Sequence, residues 1–271
     1  IHLLLLAGLA VVLFPFAWMI STSLKTKQEA QSNAHFFPAQ AQFENYPEAW
    51  NGARAITAGR HTFGRFFANS LGVALCVTAF VVVTSLLAGY AFACLRFPGR
   101  DILFGLFLGT MMVPFEVTLI PNFMTIRALG LYNTYAALIV PWMANVFSIF
   151  LVRQFMLGIP RDYFDAARID GCGHLQFLFL VAAPMAAPAL ATVSLFAFLG
   201  SWNSFLWPLL VTDDPSKYVV QYGLALFVQE ESTSFHLLMA ASTMVIAPVA
   251  ILYLLAQKHF VAGVSAVGLK G

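Results

Sequence analysis

The amino-acid sequence predicts an all-α integral membrane protein with six transmembrane helices, and composition and charge spacing carry the prediction. Of the 271 residues, 60% are hydrophobic and 10% are charged, whereas soluble domains average about 45–50% apolar and about 25% charged residues. A helix needs about 20 apolar residues to cross about 30 Å of hydrocarbon. The chain contains six stretches of that kind between its charged residues. A soluble globular protein is therefore excluded.

The spans follow from these stretches in chain order. The first runs directly into a polar segment without a signal-peptide cleavage pattern, so we interpret it as a span. The third contains one charged residue, Glu116, and the fifth comes from a long uncharged stretch that Pro184, Pro188 and Pro208 interrupt. We expect an aromatic segment at the membrane interface after the fifth span. The predicted spans are 3–24, 66–95, 102–126, 128–152, 177–200 and 237–257.

The polar connections complete a single transmembrane domain, 1–271. Residues 25–65 form the longest polar segment, which is predicted to be a loop with at most a short helix, and 96–100 form a tight basic turn. With both termini inside, seven basic residues fall on each side of the membrane, so the positive-inside rule does not decide the topology. The chain begins at Ile1 without an initiating Met, and we expect the native N-terminus to precede it. The net charge of +2 excludes electrostatic binding of nucleic acid over a broad face.

The loop between the fourth and fifth spans, 160–174, has the pattern of a short amphipathic helix. Asp162 is expected to cap this helix, and Gly171 and Gly173 are expected to terminate it. The adjacent Ala166 and Ala167 allow a close backbone approach. The helix therefore suits a groove on another protein.

The spacing within this loop resembles that of the permeases of ABC importers. Their cytoplasmic loop has Glu-Ala-Ala, three residues, Gly, nine residues and Ile-x-Leu-Pro; this chain has Asp165-Ala166-Ala167, Gly171 and Val181-Ala182-Ala183-Pro184. Asp replaces Glu, Val replaces Ile and Ala replaces Leu. Other segments resemble the carbohydrate-uptake subgroup, which includes the maltose permease G subunit. These segments are Pro114-Phe115-Glu116-Val117, Leu119-Ile120-Pro121, Gly130-Leu131-Tyr132-Asn133-Thr134-Tyr135, Arg153-Gln154-Phe155 and 201–209.

The resemblance implies a non-catalytic permease subunit in a bacterial or archaeal plasma membrane, with its coupling loop and both termini cytoplasmic. It implies four kinds of partner: a homologous permease subunit, two ATPase subunits that bind ATP and magnesium, an external solute-binding protein and membrane lipid. No cofactor is expected in this chain. The tail 262–271 is similar to tails that reach toward the ATPase pair. The residues implied in ATPase coupling are Asp165, Ala166, Ala167, Arg168, Asp170 and Gly171.

Several polar residues are candidates for the translocation pathway. Glu116 is the one acidic residue well inside a predicted span, where a charge costs about 2.5–3.5 kcal/mol. Three roles are open to Glu116: it lines the translocation path, it pairs with a companion subunit, or it packs as a protonated structural group. Asn122, Asn145, Asn203 and Trp202 have the chemistry to hydrogen-bond to or stack on a sugar. For each of the four, helix packing or an interfacial aromatic belt is the alternative.

The resemblance favours import of a sugar or related carbohydrate, and glycerol phosphates or glycerophosphodiesters are the alternative substrates. A proton-coupled secondary transporter that titrates Glu116 is a further alternative, although the sequence shows neither an internal repeat nor the broken paired spans typical of such carriers. The sequence contains no hydrolase motif, no phosphate-binding loop and no clustered metal ligands, so we expect neither an enzyme nor a metal site.

Overall fold

A computed structural model describes residues 2–32, 35–56, 62–228 and 234–268, and within these ranges the protein is helical without a β-strand. Two residues that entered the charge count, Arg60 and Lys270, lie outside the described residues, as does the end of the predicted ATPase-directed tail. The chain divides into two compact units. One comprises Ile1–Leu71 and Thr212–Ile251, and the other comprises Gly72–Val211 and Leu252–Gly271.

Fifteen helical segments are present in the described part of the chain, and short 3-10 or π-helical turns extend several of them. They are α1 His2–Ser23, α2 Lys27–Ser32, α3 Asn45–Ile56, α4 Phe63–Cys94, α5 Arg100–Gly109, α6 Phe115–Ala128, α7 Tyr135–Ile139, α8 Val146–Leu157, α9 Arg161–Ile169, α10 His174–Phe177, α11 Ala183–Met185, α12 Ala187–Trp202, α13 Leu206–Val211, α14 Val220–Ala225 and α15 Phe235–Gly268. The turns are Thr110–Met112, Val140–Trp142, Leu178–Ala182 and Pro215–Lys217.

Three described helices are individually long and apolar enough to cross a membrane: α1, α4 and the Phe235–Leu254 part of α15. They coincide closely with the predicted first, second and sixth spans. The other three predicted spans are bent pairs of helices, with angles of 101° between Arg100–Met112 and Phe115–Ala128, 42° between Tyr135–Trp142 and Val146–Leu157, and 81° between His174–Met185 and Ala187–Trp202. Six spans result if each bent pair is one crossing.

The expectation that the chain lacks broken paired spans was therefore wrong. A proline lies at or near each break: Pro114 precedes α6, Pro141 lies in the turn that ends at Trp142, just before the second break, and Pro188 lies in the first turn of α12. Proline has no N–H and fixes φ, so it is tolerated at the start of a helix and disrupts its interior. Intervals between charged residues do not detect such breaks.

The predicted start of the fourth span at residue 128 was also wrong. Helix α6 continues to Ala128, and α7 begins only at Tyr135. Between them Gly130 and Asn133 adopt φ values of 68° and 57°, a left-handed conformation that ends a helix. Thr134 then caps α7 by accepting a hydrogen bond from the Ala137 N–H.

The polar segment after α1 contains two helices, α2 and α3, where at most one was expected. Lys25, 1% exposed, anchors this segment: its Nζ donates to the His35 carbonyl at 2.5 Å and lies 4.8 Å from the Trp18 ring centre. Asn45 Nδ2 donates to the carbonyls of Ser23 and Lys25, both at 2.8 Å. These bonds fix the end of α1 to the start of α3.

The C-terminal end of α4 is held against its neighbours by Arg153 of α8. Arg153 Nε donates to the Phe92 carbonyl at 3.2 Å, and the guanidinium lies 4.1 Å from the Phe104 ring centre. The preceding residue on α8, Val152, is completely buried where Gly89 brings α4 and α8 close together. The end of α4 therefore packs closely against α5 and α8.

Candidate coupling helix and pathway residues

Helix α9 lies in the loop that the sequence singles out. Pro160 occupies its N-cap position without a side-chain cap, so the predicted cap, Asp162, instead lies in the first turn. A carboxylate is favourable there because it faces the positive end of the helix dipole. The predicted C-terminus is confirmed at Gly171, which has a φ of 77°, and Cys172 N donates to the Ala167 carbonyl at 2.8 Å. This is the pattern of a glycine-terminated helix end.

Helix α9 has one face against its own chain and one face exposed. Ala167 is 8% exposed and Phe164 is half-buried, whereas Ile169 is 86% exposed. Residues three or four positions apart share a helix face. The outer face of α9, as we call it, consists of Asp162, Asp165, Ala166 and Ile169, all exposed. Only one of the two alanines is therefore available to a partner, and Ala167 belongs to the inner face.

An aromatic cluster holds the inner face of α9. The ring centres of Phe164 and Phe177 lie 3.9 Å apart. The ring centre of Tyr90 lies 6.2 Å from that of Phe164, and these two rings are 16° from parallel. The Tyr90 hydroxyl and His174 Nδ1 are 2.8 Å apart. We call Tyr90, Phe164, His174 and Phe177 the aromatic clamp; it joins α4, α9 and α10. This cluster was not predicted from the sequence, although Phe164 and Ala167 show the three-residue spacing of a buried helix face.

The charged side chains of α9 form no ion pair with another described residue. The ion pairs among the described residues, Arg100–Asp101 and Lys217–Asp214, lie outside α9. Asp165, Arg168 and Asp170 are exposed. Their charges therefore contribute to the surface that α9 presents rather than to its attachment.

Glu116 lies in the first turn of α6, immediately after the 101° bend. The residue is exposed, as are the neighbouring apolar residues Met112, Val117 and Ile120, at 85%, 65% and 67%. The described residues therefore do not enclose the Glu116 side chain. A charge within an exposed apolar face is costly against lipid.

The amide candidates differ in their availability. Asn145 is exposed, but its Oδ1 caps α8 by accepting hydrogen bonds from Ser148 N at 2.9 Å and Ser148 Oγ at 3.1 Å. Asn122 is half-buried on α6, and Asn203 is exposed just after α12. Trp202 is 1% exposed and stacks on Phe198 with ring centres 5.6 Å apart. The structure therefore does not support stacking of Trp202 on a sugar, because its ring lies in the core.

The structure also joins two of the breaks through aromatic residues that the sequence analysis did not single out. The ring centre of Phe115, at the start of α6, lies 5.5 Å from that of Trp142. The ring centre of Trp142 lies 6.1 Å from that of Trp207. Trp207 Nε1 donates to the Ala137 carbonyl at 2.9 Å. In a regular helix that carbonyl receives the N–H of residue 141, which here is a proline. Trp207 thus supplies the hydrogen bond that the break removes.

Comparison with known proteins gives a consistent result. A model of the family described as binding-protein-dependent transport system inner membrane component matches residues 82–266. The arabinooligosaccharides transport system permease protein AraQ of Bacillus subtilis is 34% identical over 96% of this chain and 91% of its own length. The diacetylchitobiose uptake system permease protein NgcG of Streptomyces coelicolor is 31% identical over 97% of this chain and 86% of its own length. The sn-glycerol-3-phosphate transport system permease protein UgpE of Yersinia pestis is 31% identical over 97% of this chain and 94% of its own length.

The fold also matches solved structures. A chain from a bacterial ABC transporter involved in the import of the acidic polysaccharide alginate superposes with a TM-score of 0.83 and 26% identity, covering 96% of this chain and 94% of that one. A second chain, from the alginate transporter in complex with an alginate pentasaccharide-bound periplasmic protein, has a TM-score of 0.60 and 15% identity over 94% and 91%. The second likeness concerns the fold alone.

Proposed function

Because the chain belongs to the family of binding-protein-dependent transport system inner membrane components, it is a permease subunit of an ABC importer, and we propose that α9 is its attachment to the ATPase. The observation that carries the proposal is the outer face of α9: a short, exposed ridge in which Ala166 is flanked by carboxylates and by an 86% exposed Ile169. Such a ridge fits a groove with apolar and basic lining. Hydrolysis of ATP then belongs to the partner chains.

The substrate is a carbohydrate. Two of the relatives are named for arabinooligosaccharides and diacetylchitobiose, and the solved relative with 26% identity is named for alginate. The permease named for sn-glycerol 3-phosphate, at 31% identity, favours glycerol phosphates as the second candidate class. The family membership argues against a proton-coupled secondary transporter, although the broken helices resemble those of such carriers.

The assembly contains a homologous permease, two ATPase subunits and an external binding protein. In it, both termini and α9 are cytoplasmic, as in the importer permeases that the 160–174 loop resembles. Glu116 faces the translocation cavity or the companion permease, since an exposed carboxylate is unfavourable against lipid. Asn122, Asn145 and Asn203 line the same route.

The role of the outer face is tested by Ala166→Trp. A bulky ring at this exposed position blocks entry of α9 into a close-fitting groove while leaving the inner face unchanged. Leu157→Trp is the matched control, because Leu157 is 50% exposed at the end of α8 and lies outside α9. We expect the ATPase subunits to co-purify with the Leu157 variant and to be lost from the Ala166 variant. Normal ATPase attachment in both variants would show that α9 is not the attachment site.

The pathway role is tested by Glu116→Ala. Removal of the carboxylate eases membrane insertion, so we expect normal membrane levels with altered uptake kinetics. Uptake is measured with radiolabelled arabinooligosaccharide, diacetylchitobiose and sn-glycerol 3-phosphate, which also separates the two substrate classes. Unchanged kinetics for every transported compound would remove Glu116 from the pathway.

A further inference from the structure

We propose that the aromatic clamp makes α9 and α10 one rigid lever, which pivots at the π-helical turn Leu178–Ala182 and carries the movement of α9 to α12. Tyr90, Phe164, His174 and Phe177 are positioning residues in this account. The inference rests on the proposed function, because it assumes that α9 meets the ATPase.

The clamp is needed because the covalent connection between α9 and α10 is a poor transmitter of movement. Only residues 170–173 separate the two helices, and two of the four are glycines. Glycine adopts more backbone conformations than any other residue, so this link alone permits α9 to rotate against α10. The 3.9 Å approach of the Phe164 and Phe177 rings closes a second connection beside the glycines.

The contacts of Tyr90 extend this connection to α4. Tyr90 is 4% exposed, its ring lies nearly parallel to Phe164, and its hydroxyl is paired with His174. Buried polar groups are hydrogen-bonded because a buried donor or acceptor without a partner costs about 1–3 kcal/mol of stability. The Tyr90–His174 bond therefore fixes the register between the end of α4 and the first residue of α10.

The pivot lies immediately beyond the clamp. The π-helical turn begins at Leu178, the residue after Phe177, and the helix bends by 81° at Ala186 before α12. π-turns and sharp bends interrupt the regular hydrogen-bond ladder and mark places where a helix changes direction. A displacement of α9 is thus transmitted rigidly up to Phe177 and redirected over the next nine residues, 178–186.

The test separates attachment from transmission in the complete complex, reconstituted in liposomes with its ATPase subunits. Phe164→Ala removes the centre of the clamp, and Tyr90→Phe removes only the hydroxyl. Tyr163→Ala is the matched control, because Tyr163 is the adjacent α9 residue, is 50% exposed and lies outside the clamp. The measured quantity is the ratio of ATP hydrolysis rates with and without the external binding protein.

We expect the ATPase subunits to co-purify with all three variants, because the outer face is unchanged. The ratio should fall by about 5-fold or more in Phe164→Ala, the lower end of typical coupling between linked sites, and by a smaller factor in Tyr90→Phe. Phe164→Leu should restore part of the ratio, and Tyr163→Ala should leave it unchanged. Thermal unfolding of each complex shows whether a variant is folded; if Phe164→Ala is not, Phe164→Leu and Tyr90→Phe decide the question.

An unchanged ratio in the folded clamp variants would overturn the inference while leaving the proposed function intact. Equal loss in Tyr163→Ala would also overturn it, because the effect would then not depend on the clamp. Failure of the proposed function has a different signature, namely retention of the ATPase by Ala166→Trp.

Discussion

The close approach of α4 and α8 predicts that Gly89→Ala is destabilising. A Cβ atom at this position would lie 2.8 Å from Val152 Cγ1 and 3.1 Å from the backbone N of Arg153. Val152 is completely buried and Arg153 N belongs to the helix backbone, so neither yields easily. Overpacking of this kind costs about 1–3 kcal/mol, whereas replacing glycine by alanine inside a helix returns about 0.5–1 kcal/mol. The expected net loss is therefore up to about 2.5 kcal/mol.

Gly72→Ala provides the matched control on the same helix, because a Cβ atom there meets nothing within 4 Å. Both variants gain the same helix propensity, so the difference between them isolates the contact with α8. The assay is thermal unfolding of the purified protein in detergent, and Gly89→Ala should unfold at a lower temperature than Gly72→Ala. Val152→Ala should recover part of the loss in the Gly89→Ala background. Equal unfolding temperatures for the two glycine variants would refute the close approach.

Two further predictions concern stability. Trp207→Phe keeps a ring in the buried site but removes the donor to the Ala137 carbonyl. We therefore expect the free energy of unfolding to fall by about 1–3 kcal/mol, measured by thermal unfolding. An unchanged unfolding temperature would contradict this prediction. Hydrogen bonds from Lys217 and then from the Ser216 N–H hold the pKa of Asp214 well below its usual value of 3.8. The stabilisation is therefore complete above pH 3.8 and is lost as the pH falls through the lowered pKa. The unfolding temperature of Asp214→Asn should lie below that of the unchanged protein at pH 7 and approach it in acid; a gap that persists at low pH would show that the carboxylate charge is not its cause.

The long uninterrupted helices were predictable because their sequence signal is simple. Charge-free stretches indicated α1, α4 and the Phe235–Leu254 part of α15. The loop spacing indicated the family, which the comparisons confirm. The breaks were not predictable from charge intervals, because a proline at the start of a new helix leaves hydropathy unchanged. Gly130 and Asn133 are turn-forming residues in the gap between α6 and α7, whereas the predicted boundary follows the charge of Arg127.

The candidate site shows the same division between local and tertiary information. The end of α9 at Gly171 follows from local backbone preference and was predicted. The inward orientation of Ala167 depends on Phe164 meeting Tyr90, 74 residues earlier in the chain. Likewise, Trp202 lies beside Phe198 in the core, and sequence alone does not distinguish a buried aromatic ring from one that lines a path. Side-chain direction therefore required the structure.

The buried Lys25 has a consequence for how α1 adapts to the membrane. From His2 to Ala17 every residue of α1 is exposed, whereas residues 21–23 and 25 are buried. The helix is therefore tethered at one end, where the Lys25 ammonium is bound to the His35 carbonyl and the Trp18 ring. We therefore expect α1 to accommodate a thinner membrane by tilting about this end rather than by sliding along the bilayer normal, since tilting is one response of a hydrophobic segment that is longer than the bilayer it crosses.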